Sequence, residues 1–151
     1  MLEVASPGEL AAHVGQAIGA SEWLVVDQGM IDAFADATGD HQWIHLDVER
    51  ARRELPGGKT IAHGFLTLSL LPRLARSVLA IGGRTHTLNY GSNRVRFTAP
   101  VPSGARIRLH MKLLAAEPIA NGLRFTFENS VEIEGEAKPA LIAETIQVAY
   151  T

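Results

Sequence analysis

Asp40 and His45 stand five residues apart in the polar stretch 37–47, directly after a helical pattern has ended. An imidazole titrates near neutral pH, so His45 can take a proton from a water molecule and later return one. A carboxylate beside it can orient that water and carry a second proton. Residues of these types at this spacing predict acid–base chemistry on water, with Asp40 and His45 as the catalytic pair.

The same spacing also has a plain structural explanation. Asp40 would then accept hydrogen bonds from nearby amides beyond the helix end, and His45 would be an ordinary loop residue. Short motifs often match by chance, and on spacing alone the structural explanation is the favoured one.

The backbone N–H of Gly64 is a third candidate catalytic group. It precedes the most apolar segment of the chain, so we expect it to be an unpaired donor at a helix start. Such an N–H, supported by the helix dipole, can bind a carbonyl oxygen that becomes an oxyanion. Packing of the helix end explains the glycine equally well. His63 could line the same cleft, although a buried histidine bonded to a carbonyl is the favoured explanation for it.

Two helices are predicted before the catalytic stretch. Ser6 followed by proline, and apolar residues repeating every fourth position, predict a helix over 6–18. Asp27 is expected to cap a second helix over about 28–38, which Gly39 ends in a left-handed conformation. The segment 41–45 is predicted to be a loop.

The segment 60–81 is apolar on nearly all sides and predicts a buried helix, with a kink or restart at Pro72. From residue 84 onward apolar residues alternate, and Asn121-Gly122 is typical of a hairpin. The C-terminal half therefore predicts an antiparallel meander of about four strands. The fold class is α+β: an antiparallel sheet wrapped around a long central apolar helix.

Composition excludes several classes of function. At 151 residues with a formal charge of −2, the chain predicts one domain over 1–151 and no nucleic-acid partner. The absence of cysteine and of a signal-like N-terminus predicts a cytoplasmic location, and the longest apolar segment is too interrupted by charge to predict a membrane partner. His13, His86 and His110 have no acidic neighbour at ligand spacing, and no HExxH or comparable motif is present, so no metal is expected.

The motif Gly39-Asp40-His41-Gln42-Trp43-Ile44-His45 resembles the hydratase motif of the MaoC-like dehydratases, the (R)-specific enoyl-CoA hydratases of the hot-dog fold. In that family the motif runs Gly-Asp-x-Asn-Pro-apolar-His. The segments 61–65 and 93–101 resemble the start of the hot-dog helix and the strand after it. Gln42-Trp43 in place of Asn-Pro is the one departure, and it removes a rigid φ at position 43.

The resemblance implies a single hot-dog domain and the reversible syn addition of water to a trans-2-enoyl thioester. His45 would act as base on the water, Asp40 would orient it and help protonate the α-carbon, and the Gly64 N–H would hold the thioester oxygen. The partner would be acyl-CoA or an acyl carrier protein thioester, without a separate cofactor, and the protein would be a homodimer. Candidate substrate-binding residues are Gln42, His63, Asn93 and Arg96.

Two other functions remain open for such a fold. A hot-dog thioesterase usually needs an acid on or near the central helix, and the segment 65–81 contains no Asp or Glu. A non-catalytic acyl-binding dimer subunit would have lost its catalytic pair, whereas Asp40 and His45 are both present.

Overall fold

A six-stranded antiparallel sheet forms one layer of the computed structural model, which describes residues 1–151, and six short helices cover one of its faces. The sheet strands are β2 (Ala17–Ala20), β3 (Leu24–Val26), β5 (His86–Phe97), β6 (Ala105–Ile119), β7 (Gly122–Ile133) and β8 (Leu141–Tyr150). A separate parallel pair consists of β1 (Leu2–Val4) and β4 (Leu79–Ile81). The helices are α1 (Pro7–Ala11), α2 (Gln28–Thr38), α3 (Trp43–Leu46), α4 (Val48–Glu54), α5 (Gly64–Ser69) and α6 (Leu71–Ala75), with a 3₁₀ turn at Pro56–Gly58.

The strand order is β2-β6-β7-β8-β5, and β3 also pairs with β6. Only β6, β7 and β8 follow one another as a meander, because β5 pairs with β8 and not with its sequence neighbour β6. The reason lies in the connection 98–104, which crosses beside the helical layer. There Val101 is buried and its carbonyl accepts the Ala62 N–H at 2.8 Å, so the chain cannot turn back as a hairpin.

The central helix is present, but it is divided and shorter than the segment 60–81. α5 ends at Ser69, and α6 begins at Leu71 with Pro72 in its first turn, which confirms the predicted restart. Proline lacks the N–H that a continuous helix would need and clashes with the carbonyl four residues earlier. Beyond Ala75 the chain leaves the helix, and β4 pairs with β1. The two helices bury Leu66, Leu70, Leu71 and Leu74 against the sheet.

The N-terminal helix begins as predicted but ends early. The Ser6 hydroxyl oxygen accepts the Glu9 N–H at 3.2 Å, which caps α1. The helix ends at Ala11 rather than Ile18, so the prediction of a helix over 6–18 is wrong in its second half. Sheet pairing overrides the helical pattern there, because the Gly15 N–H donates to the Leu113 carbonyl at 2.8 Å and β2 then pairs with β6.

Both predicted ends of α2 are confirmed. The Asp27 carboxylate accepts the Met30 N–H at 2.9 Å, and Gly39 has a φ of 79°. The prediction of a loop over 41–45 is only partly right, since Trp43–Leu46 forms one helical turn that carries His45. No helix in the chain combines the length and apolar character needed to cross a bilayer.

A hairpin joins β6 to β7 at the predicted position. Asn121 has a φ of 62°, and Gly122 is the first residue of β7. A Cβ at Gly122 would overlap the Ala149 carbonyl oxygen and lie 3.0 Å from the Cα of Tyr150. Glycine is therefore required there by the close approach of β8.

We predict that Gly122→Ala destabilises the protein by about 1–3 kcal/mol, the usual cost of overpacking against atoms that cannot move away. Gly29→Ala is the matched control, because a Cβ at Gly29 on α2 meets only the Asp27 carboxylate oxygen, at the ordinary contact distance of 3.5 Å. Urea denaturation of both variants measures the difference. Equal stability of the two variants would contradict the packing argument.

Candidate active site

Asp40, His45 and His63 converge from three separate segments of the chain. One ligand atom of each lies within 4.8 Å of the others. Asp40 follows the end of α2, His45 lies on α3, and His63 immediately precedes α5. Asp40 is exposed, whereas His45 and His63 are buried. The predicted catalytic pair is thus brought together, with a second imidazole beneath it.

The His45 ring has a defined tautomer. Its Nδ1 lies 2.6 Å from the Ile61 carbonyl oxygen. A carbonyl can only accept a hydrogen bond, so Nδ1 must carry the proton and the neutral ring keeps its lone pair on Nε2. A histidine held in this way is oriented to act as a base through Nε2.

The backbone of His45 is anchored by residues of α2 and of the segment before α5. The Gln28 amide nitrogen donates to the His45 carbonyl at 2.7 Å. The Thr60 hydroxyl donates to the Gln28 amide oxygen at 2.5 Å. Sequence reasoning missed both residues, because no local pattern reveals an amide that bonds to a backbone 17 residues away.

His63 contacts both Asp40 and His45. Its Nε2 donates to the Asp40 carbonyl oxygen at 3.0 Å, and its ring stacks on His45 with centroids 3.8 Å apart. Phe34 packs on its other side, at 4.9 Å between ring centroids. This is the buried histidine bonded to a carbonyl that was the favoured explanation for His63, and the contacts place Asp40 and His45 relative to each other.

The same three residues do not fit a metal ion well. His45 Nδ1 and His63 Nε2 both face carbonyl oxygens. The rings stack face to face at an interplanar angle of 25° with centroids 3.8 Å apart, an arrangement that differs from the tetrahedral spread of ligands around a metal. The geometry instead suits proton transfer.

Gly64 lines the same cleft as His45. The cleft has a volume of about 320 Å³, and Thr67 and Phe97 also contribute to its wall. The Gly64 N–H makes no hydrogen bond within the chain, as expected at the start of α5. A Cβ at Gly64 would lie 3.0 Å from the Phe97 ring, so a side chain there would crowd both the ring and any ligand.

Of the remaining predicted substrate-binding residues, only Gln42 contacts a member of the catalytic pair. Gln42 is exposed beside the acid, and its N–H donates to the Asp40 carboxylate at 3.4 Å. Asn93 donates to the Glu144 carboxylate at 2.7 Å, and Arg96 donates to the Val95 carbonyl at 2.8 Å. Asn93 and Arg96 lie on β5 outside the cleft lining, so their role in substrate binding stays a prediction.

His41 points away from the catalytic pair. It is exposed and pairs with Asp36, 3.1 Å from its Nε2. The hydrogen bond to Asp36 and then the Gly39 carbonyl raise the pKa of His41 above its usual value. His41 is therefore part of an exposed pair with Asp36 on the surface of α2 and not a member of the catalytic pair.

Trp43 replaces the proline of the resembled motif and begins α3. The guanidinium carbon of Arg50 lies 3.8 Å from the centroid of the Trp43 ring, and Arg50 also pairs with Glu54 at 3.0 Å. This stacking joins α3 to α4. At the position where the resembled motif has a proline, a cation therefore packs on an aromatic face and links the two helices.

A double-mutant cycle on Trp43→Ala and Arg50→Ala should show a coupling energy of about 0.5–1 kcal/mol in unfolding free energy, the usual strength of an exposed cation–π contact. Arg52 serves as the control partner, because its guanidinium pairs with Glu49. The Trp43–Arg52 cycle should show no coupling, and equal coupling in the two cycles would contradict the assignment.

Comparison with known proteins adds three findings. A family model described as MaoC like domain matches residues 9–133. The chain is 50% identical over 142 residues to 3-hydroxyacyl-thioester dehydratase Z of Mycobacterium tuberculosis, and the match covers 93% of both proteins. It is 49% identical over 145 residues to Nodulation protein N of Rhizobium leguminosarum, covering 95% of this chain and 90% of that protein.

Solved structures share the architecture. R-hydratase PhaJ1 from Pseudomonas aeruginosa superimposes with a TM-score of 0.74 at 26% identity, covering 96% of this chain and 85% of that one.

Proposed function

Because this chain belongs to the MaoC-like domain family, we propose that it is an (R)-specific enoyl-CoA hydratase that also works in reverse as a 3-hydroxyacyl-CoA dehydratase. It has the hot-dog fold, and it is a hydro-lyase. We propose that residues 1–151 form a single domain of this type. The observation that carries the mechanism is the His45 ring, whose Nδ1 is held by the Ile61 carbonyl so that Nε2 keeps its lone pair, in a cluster that also contains Asp40.

The proposed reaction begins with the thioester carbonyl accepting a hydrogen bond from the Gly64 N–H. His45 Nε2 takes one proton from a water that Asp40 orients, and the water oxygen bonds to the β-carbon. The enolate formed is held by the same N–H, where developing negative charge is stabilised most. The proton is then passed through Asp40 to the α-carbon on the same face, which returns both residues to their starting states.

We propose that the acyl group is carried by coenzyme A or by an acyl carrier protein and that the reaction takes place in the cytoplasm without a separate cofactor. Proton transfer by His45 and Asp40, with the oxyanion held by Gly64, needs no further group. Gln42 is the proposed substrate-binding residue nearest to the acid, since its N–H already contacts the Asp40 carboxylate.

Hydration of crotonyl-CoA, followed by loss of the enoyl absorbance, tests this function. Asp40→Asn and His45→Gln should each lower kcat/KM by about 10²–10⁴, the range for removal of a general acid or base. His13→Gln is the matched control, because His13 is a half-buried histidine outside the site whose ring bonds to Gln16. Release of thiol from saturated acyl-CoA by an enzyme that does not hydrate crotonyl-CoA would indicate the thioesterase alternative instead.

We also propose that the protein is a homodimer joined along β5. This strand of 12 residues pairs on one side with β8 and leaves its other side open. Long open edges tend to pair with another chain. The exposed apolar side chains of Leu88, Tyr90 and Phe97 lie along this strand, and Phe65 contacts Phe97 from α5.

Light scattering at micromolar concentration should give twice the 16.3 kDa mass of one chain. Replacing Leu88 and Tyr90 together by lysine should weaken the dimer, because two charges would be buried at the joined edge. Val14→Lys is the control, as Val14 is an exposed apolar residue far from β5 in the fold. A monomeric wild type would contradict the proposal.

A further inference from the structure

A buried asparagine interrupts the apolar inner face of β7. Phe125, Phe127, Val131 and Ile133 occupy the alternate positions of this strand that face the helices, and all are buried. Asn129 occupies the position between Phe127 and Val131 and is 2% exposed. A buried amide is costly unless it is hydrogen-bonded. Its presence on this face therefore needs an explanation.

Only part of the Asn129 amide is satisfied within the chain. Its Nδ2 donates to the Thr145 hydroxyl at 2.8 Å, with a longer contact of 3.5 Å to the Phe127 carbonyl. Its Oδ1 accepts no hydrogen bond from the protein, and Asn129 contributes to the wall of a cavity between the sheet and the central helices. An acceptor thus remains available on the cavity side.

The cavity has a volume of about 420 Å³, and its floor on the sheet carries several polar residues beside Leu109, Met111 and Ile146. Ser92 faces Thr145 across the β5–β8 pairing, and Asn89 faces Gln147 in the same ladder. The roof is apolar and comes from both central helices. No acidic or basic side chain lines the cavity, and its principal residues are Leu68, Leu71, Pro72 and Ala75 above and Asn89, Ser92, Asn129, Thr145 and Gln147 below.

The cavity lies one helical turn beyond the catalytic cleft. Thr67 lines the cleft and Leu68 lines the cavity. At 1.5 Å per helical residue, the distance along the helix from Gly64 to the cavity wall is roughly 6–12 Å. A thioester held at Gly64 would therefore place the middle of a medium-length acyl chain over the polar floor.

The far end of the cavity is open. Pro72, Ala75 and Gln147 also line an adjoining groove of about 640 Å³, which continues toward Arg76 and Arg84. A chain that lies over Asn129 can therefore extend further into this groove.

We propose that Asn129 is a specificity-determining residue that favours acyl chains bearing a hydroxyl group well beyond the β-carbon. The inference rests on the proposed function for the origin of the chain at Gly64. A plain alkyl chain would cover the Asn129 Oδ1 without giving it a partner, which leaves a buried acceptor unpaired. A chain hydroxyl would donate to that oxygen, and sites built around such a bond discriminate against analogues that lack it.

Equilibrium binding of 8-hydroxyoctanoyl-CoA and octanoyl-CoA tests the proposal, because neither saturated thioester can be hydrated. Titration calorimetry should show about tenfold tighter binding of the hydroxylated chain to the wild type, the effect of one buried hydrogen bond. Asn129→Leu, which keeps the branched shape and the number of heavy atoms of asparagine, should abolish or reverse this preference. Thr145→Val removes the hydroxyl that accepts the hydrogen bond from Asn129 Nδ2 and so orients the amide. It should reduce the preference without placing a larger side chain in the cavity.

Ser130→Ala is the control, because Ser130 neighbours Asn129 on β7 with its side chain on the opposite face of the sheet. It should keep the wild-type preference. Equal binding of the two thioesters to the wild type, or an unchanged preference in Asn129→Leu, would overturn the proposal. Crotonyl-CoA hydration is measured in parallel, so that a hydroxyl preference without hydration would refute the enzymatic function and leave the binding site standing.

Discussion

The hydrogen bond from His45 Nδ1 to the Ile61 carbonyl oxygen joins α3 to the extended segment that leads into α5. That segment is held on both sides. The Ile61 N–H donates to the Ile44 carbonyl at 3.1 Å, and the Ala62 N–H donates to the Val101 carbonyl at 2.8 Å. The same few residues therefore fix the tautomer of the base, its distance from Gly64 and the path of the connection between β5 and β6. Any change that moves this segment would shift all three together.

The division of the central helix has a second consequence for the site. Pro72 prevents one straight helix, so α5 presents Gly64 to the cleft while α6 packs separately on the sheet. Most of the sheet face beneath is apolar, yet the part that faces the junction of the two helices carries amides and hydroxyls. The cleft at Gly64 and the cavity at the helix junction are thus lined by different types of side chain, although both lie along the helical layer of α5 and α6. In the proposed mechanism proton transfer takes place in the cleft, and the proposed preference for an acyl chain depends on the floor next to it.

Local signals in the sequence predicted the features that depend on local energy. The caps at Ser6 and Asp27 and the left-handed Gly39 were all correct, because each rests on hydrogen bonds between residues a few positions apart. Where tertiary pairing competes with propensity, prediction failed. The apolar repeat after Ala11 predicted more helix, but that stretch became a turn and an edge strand because β6 offered backbone partners.

By itself, the sequence predicted the reaction and the fold family through the resemblance of the motif 39–45 to the MaoC-like dehydratases, because the spacing of an acid and a base alone favoured a plain structural explanation. The tertiary structure alone decided how these groups are held. The His45 tautomer depends on a carbonyl 16 residues away, and α3 is linked to α4 by Arg50 stacking on Trp43. The open acceptor of Asn129 depends on contacts with β8. Such features arise from distances between segments remote in the chain, which a one-dimensional pattern does not contain.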